Sequence, residues 1–208
     1  TEIEGADNLF KAESILRETM NRYKAMYAAK QAFMLVGGSS AGILASVLSV
    51  ISKGDALIMA SNCHKSVYNA LMLSGGKAAF VAPEALKVYG LAGEVSASRI
   101  EEALIKHPEA KAVLITSPNY YGVCSDVEKI SEIVHAHGKI LIVDEAHGAH
   151  LAFMDKIAPS RRDIKNQHSK AKKLAAEASG ADIVILSTHK TLASFTQTAI
   201  LLVCSDRV

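Results

Sequence analysis

Residues 141–150 read LIVDEAHGAH, an aliphatic run that ends abruptly on two carboxylates. The run lacks in–out alternation, the pattern of a strand covered on both faces, as in parallel sheets. Its polar end admits three chemistries. Asp-Glu-Ala-His after a strand looks like the magnesium-binding box of a helicase-type ATPase. His147 and His150, beside Asp144 and Glu145, offer ligands to zinc. Alternatively, Asp144 alone is the working group, aimed from the strand end at a cofactor.

Outward from this stretch the same kind of run recurs: AFMLVGG (32–38), DALIMA (55–60), KAAFVAP (77–83), AVLITSP (112–118), DIVILST (182–188) and TAILLVC (198–204). Helical stretches lie between them. SAGILASVLSVIS (40–52) has a serine at its start, and KSVYNALMLSGG (65–76) closes on glycine. SASRIEEALIKHP (96–108) carries Ile100, Leu104 and Ile105 at helical spacing, and DVEKISEIVHAHG (126–138) and KAKKLAAEASG (170–180) complete the series. Leu9 to Lys30 reads as one long leading helix. The alternation predicts a doubly wound α/β domain with a mostly parallel sheet flanked by helices. The run at 198–204 follows its predecessor too closely for a crossover helix, so it is expected to be antiparallel.

The bulk numbers restrict the partners. A chain of 208 residues, 50% hydrophobic and 21% charged, is one globular domain with a sizeable core. A net charge of +2 gives no case for nucleic acid or an anionic membrane. The Lys/Arg-rich stretch from Ser160 to Lys173 reads as a solvated loop or helix face. Cys63, Cys124 and Cys204 are scattered and odd in number, which fits a reducing cytoplasm better than a disulfide framework. No signal-peptide pattern opens residues 1–208 and no apolar run reaches membrane-spanning length, so neither a leader nor a membrane span is expected from these residues. The first residue is not Met and the last strand-like run ends beside the last residue, so a segment of a longer protein is expected.

In a parallel sheet the chemistry sits at the carboxyl ends of the strands. Those ends carry Gly37-Gly38-Ser39-Ser40, Asn62-Cys63-His64, Ser117-Pro118-Asn119, Asp144-Glu145 and Ser187-Thr188-His189-Lys190. The ATPase reading fails for want of a Gly-x-x-x-x-Gly-Lys-Ser/Thr phosphate loop; SGGKA (74–78) comes closest and lacks the metal-binding hydroxyl. Zinc needs three or four converging ligands, and no third ligand is evident, so no metal is expected. The third reading gathers the whole set. GGSSAG offers free backbone N–H groups and hydroxyls to a phosphate. Lys190 supplies an amine for a Schiff base, and Asp144 a carboxylate for a pyridine nitrogen. Together they point to pyridoxal 5'-phosphate. At about 3 Å and an effective dielectric near 20, an aspartate–pyridinium pair attracts by roughly 5 kcal/mol before desolvation, enough to keep the ring nitrogen protonated.

VDEAHGAH (143–150), STHKT (187–191), SNCHKSVYNALMLSGG (61–76) and ITSPNYYGVCSD (115–126) resemble the large domain of fold-type I pyridoxal phosphate enzymes, and within that group the Orn/Lys/Arg decarboxylase family. The resemblance implies that residues 1–208 are the cofactor-binding large domain, without the N-terminal arm and the small C-terminal domain. It implies Lys190 as the Schiff-base lysine and Asp144 as the partner of the ring nitrogen. Ala146 would lie against one ring face and His64 against the other. Ser39, Ser40 and the adjacent Ala41, with Ser187 and His189, would hold the phosphate. His147 would lie near the phenolic oxygen or the substrate, as would Asn119. Lys190, His64 or His147 would deliver a proton. The implied reaction is decarboxylation of arginine, lysine or ornithine to an amine, of the kind polyamine synthesis uses, in a homodimer. An α-oxoamine synthase or aminotransferase on the same fold is the competing enzyme, and a non-catalytic domain the competing class. Tyr120 and Tyr121 are either substrate contacts or packed aromatics.

Overall fold

The computed structural model describes residues 6–157 and 173–208. Seven strands form one sheet: β1 (Gln31–Leu35), β2 (Ala56–Ala60), β3 (Lys77–Val81), β6 (Ala110–Thr116), β7 (Ile140–Asp144), β8 (Ile183–Ser187) and β9 (Ala199–Val203). A separate two-stranded hairpin joins β4 (Ala85–Leu86) to β5 (Leu91–Ala92). The sheet order is β1-β9-β8-β7-β6-β2-β3. Strands β8, β7, β6, β2 and β3 pair in parallel, and β9 runs antiparallel to both β8 and β1. The mostly parallel, doubly wound sheet and its single reversed strand are as the sequence predicts.

Helices cover both faces. α2 (Gly38–Val50) and α3 (Lys65–Ser74) pack Ile43, Val47, Ile51, Val67 and Leu71 against Leu57, Met59 and Ile185. On the opposite face α4 (Ala97–Lys106) and α5 (Val127–Ala136) bury Ile100, Leu104, Ile130 and Val134 against Ile58, Val113 and Val143. Successive residues of one strand thus enter different cores, which is why the strand sequences are apolar throughout. Gly42 lets α2 press close to the sheet: a Cβ there would stand 2.6 Å from Leu35 Cδ1 and 3.0 Å from Ile185 Cγ2. That contact fixes the start of α2 above the strand ends.

Four local readings need correction. α1 is Ile15–Met26, shorter than the stretch from Leu9 to Lys30. Its entry is organised by Asp7, whose carboxylate accepts from the N–H groups of Asn8, Glu13, Ser14 and Leu16. α2 has Gly37 rather than a serine at its N-cap, which places Ser39 and Ser40 inside the first turn. The described part of 170–180 holds only a 3-10 turn at Glu177–Ser179. The remainder of that stretch, and 160–172 of the Lys/Arg-rich segment, lie outside the described residues. Two helices were not anticipated: α6 (Leu151–Ile157) and the single turn α7 (Thr188–Thr191).

Candidate active site

The strand ends and the start of α2 enclose a cleft of about 340 Å³. Each wall comes from a different element. The loop after β1 and the first turn of α2 bring Gly37, Gly38, Ser39 and Ser40. The end of β7 brings Asp144, Ala146 and His147, and α7 brings His189 and Lys190. His64 enters from the start of α3. Of the eleven residues singled out from the sequence, eight line the cleft, all of those just named except Gly37 and Gly38, and Ala41, Asn119 and Ser187 do not.

Asp144 is 2% exposed. One of its carboxylate oxygens accepts from the Ala146 N–H at 3.1 Å. Burial raises its pKa from 3.8 to about 6, while that hydrogen bond and the Lys190 ammonium pull the other way. The carboxylate is therefore held in a position that favours a cationic partner. Lys190 Nζ lies 3.3 Å from His147 Nε2. An ammonium only donates, so it fixes the His147 proton on Nδ1. Burial lowers the His147 pKa, and Lys190 and His64 lower it further, which keeps the ring neutral and able to take a proton. His64 has two roles. It caps α3, its Nδ1 accepting from Ser66 N–H at 3.3 Å, and its ring also reaches the cleft. Burial, then Lys190 and Lys65, lower its pKa.

Asn119, which the sequence reading placed near the cofactor's phenolic oxygen, does not line the cleft. Its amide donates to the carbonyls of Ala92 and Gly93, and its oxygen accepts from Tyr121 and Val123 N–H. The side chain is fully used in tying the 119–123 turn to β5. Ser187 is fully buried behind the cleft wall, and its hydroxyl has no partner among the described residues. His150 is likewise not part of the cleft wall, and no group of three metal-ligating side chains occurs among the described residues.

The cleft also contains Asn62, which the sequence placed at a strand end without a role, Tyr120, left open between substrate contact and packing, and Thr116 and Gln197, which were not singled out. Asn62 stands two residues past β2, and Thr116 is the last residue of β6, in register with Asp144. Their Oδ1 and Oγ1 atoms are buried without a partner. A buried polar atom left unpaired costs about 1–3 kcal/mol, so this wall suits a polar occupant. Gln197 has φ 63°, a left-handed backbone that a non-glycine residue rarely adopts and that often marks a functional site. Tyr120 stands edge-to-face with His147 at 5.6 Å between ring centroids, and it is 79% exposed.

A parallel sheet with a lysine and an aspartate at its strand ends and a helix N-terminus beside them defines the fold-type I architecture of pyridoxal phosphate enzymes. The chain superposes on lysine decarboxylase A from Pseudomonas aeruginosa with a TM-score of 0.74 at 24% identity, over 98% of this chain and 27% of that one. The family described as Orn/Lys/Arg decarboxylase, major domain, matches residues 1–208, and the chain belongs to that family. Among its relatives, the Bacillus subtilis protein YaaO is 35% identical over 94% of this chain and 38% of its own length. The arginine decarboxylase of Bacillus subtilis is 33% identical over 99% of this chain and 40% of its own length. The chain thus spans about two fifths of the curated relatives it matches.

Proposed function

We propose that this chain is the cofactor-binding part of a pyridoxal phosphate-dependent decarboxylase that converts arginine, lysine or ornithine to the corresponding amine. One observation carries the reading: Lys190 and Asp144, from neighbouring strand ends, open on the same cleft beside the start of α2. The unpaired polar atoms of Asn62 and Thr116 in the cleft wall fit a ligand with hydrogen-bonding substituents. When bound, the cofactor supplies an electron sink for the pair left behind as the carboxylate departs.

The chain's own groups then have distinct tasks. Lys190 Nζ would supply the covalent link. Asp144 would hold a protonated ring nitrogen, and Ala146 and His64 would flank the ring. Ser39, Ser40 and His189 would receive the phosphate with the N–H groups at the start of α2. Lys190 Nζ and His147 Nε2, already in contact, pass the proton that completes the amine. Family membership favours this reading over an α-oxoamine synthase or aminotransferase. A homodimer and a cytoplasmic setting belong to the same proposal. The three free cysteines agree with a reducing compartment, and no helix among the described residues is long and apolar enough to cross a membrane.

Borohydride reduction of the protein loaded with pyridoxal phosphate, followed by peptide mapping, tests the reading. The label is expected on Lys190 and is expected to vanish in Lys190→Ala. A label on another lysine, or one that survives that substitution, overturns it. Release of carbon dioxide from labelled arginine, lysine or ornithine by the longer natural protein identifies the substrate.

A further inference from the structure

The His189 ring is oriented by a backbone carbonyl. Its Nδ1 lies 3.1 Å from the oxygen of Thr198, the residue after Gln197. The same oxygen accepts from Thr188 N–H at 3.1 Å and from the Thr188 hydroxyl at 3.0 Å. A carbonyl oxygen has only lone pairs to offer, so Nδ1 must carry the proton in this contact. In the neutral ring, Nε2 is then left with a lone pair. His189 belongs to the cleft wall that also contains Gly37, Gly38, Ser39 and Ser40, where the proposed phosphate would lie. A lone pair turned toward a phosphate dianion would repel it.

We propose that His189 receives the phosphate as an imidazolium, so that holding the phosphate takes up one proton. Only the doubly protonated ring can donate to the Thr198 carbonyl and to a phosphate oxygen together. The other titratable groups of the cleft wall are His64 from the start of α3, Tyr120 from the loop after β6, Asp144 and His147 from the end of β7, and Lys190 beside His189 on α7. The first turn of α2 and Gln197 bring no charged side chain. The inference rests on the proposed cofactor, and it adds that affinity for the phosphate end weakens as pH rises.

The test uses pyridoxine 5'-phosphate, which lacks the aldehyde and cannot react with Lys190, against pyridoxine, which lacks the phosphate. Proton exchange at the ring nitrogen and Asp144 is common to both ligands, so their difference reports the phosphate end. The affinity difference is expected to fall as pH rises, with a limiting slope of about tenfold per pH unit for one linked proton. His189→Gln keeps a neutral donor and is expected to flatten that slope. Nitrogen NMR of the complex at pH 7.5, with His189 assigned through the backbone, is expected to show both ring nitrogens protonated. A singly protonated His189 in the complex, or equal slopes in the wild type and His189→Gln, overturns the inference while leaving the cofactor reading intact. Failure of pyridoxal phosphate and pyridoxine 5'-phosphate to bind at any pH overturns both.

Discussion

Asp144 shows how a buried carboxylate works against its own fold. Its pKa of about 6, against 3.8 in water, means that burial disfavours the ionised form by about two units, or about 3 kcal/mol. The sign follows from proton binding: the folded chain holds this proton more tightly than the unfolded chain. Its stabilising share is complete below pH 3.8 and lost as pH rises past 6. A cation against the carboxylate would offset the loss. Asp144→Asn should therefore stabilise the cofactor-free chain at pH 8 by up to about 3 kcal/mol in urea unfolding. The gain should disappear near pH 4, and the variant should hold cofactor poorly. A variant less stable than the wild type at pH 8 would refute this. The sequence pointed to Asp144, which ends a buried strand, and to Lys190, three residues past the end of another, and the structure brings both to the cleft. Thr116 and Gln197 were not legible there. The first looks like any strand residue until its register with Asp144 is known, and the second depends on a loop that folds back beside α2. Asn119 stands at a strand end, but its amide is taken up by the turn it starts, which position in the sequence does not reveal.

At the scale of elements, periodicity located the strands and the helices α2 to α5 but could not see remote caps. The start of α1 is set by Asp7, eight residues upstream of its first helical residue, so sequence spacing extended the helix too far. The hairpin of β4 and β5, two residues per strand, is too short to show an alternation. The turn after β7 depends on close packing that composition only hints at. Gly148 is the place where it fails first: a Cβ there would stand 2.5 Å from Glu145 Cγ and 2.7 Å from Pro118 Cδ. Both neighbours are held in the core, so neither can yield cheaply. Gly148→Ala should cost about 1–3 kcal/mol in urea unfolding. It should also displace His147 and so weaken retention of pyridoxal phosphate. An unchanged unfolding midpoint would show that the turn has slack.

The whole molecule carries its buried acids on one side of the balance. Glu145 is fully buried and its carboxyl meets that of Glu177; burial is the main reason both are raised, Glu145 well above 4.5 and Glu177 to about 7. With Asp144 they make three carboxyls that bind protons more tightly folded than unfolded. Each adds stability below its unfolded pKa, and that share is lost as pH rises through its folded pKa. His64 and His147, lowered from 6.5, act in the opposite sense, and their share is complete above 6.5. Cys63 and Cys204, pushed up to about 12, do not titrate in this range. Three carboxyls against two partly exposed imidazoles predict that unfolding free energy falls between pH 5 and pH 8, the reverse of ordinary acid denaturation. Glu177→Gln removes one acid of the touching pair. It should leave stability near pH 4.5 unchanged and raise it at pH 8, flattening the curve. Urea titrations of the cofactor-free chain across that range test the point. A wild-type curve that is flat or rises from pH 5 to pH 8, with Glu177→Gln parallel to it, would mean that the two glutamates reach solvent and that Asp144 does not stand in the apolar setting from which its chemistry is argued.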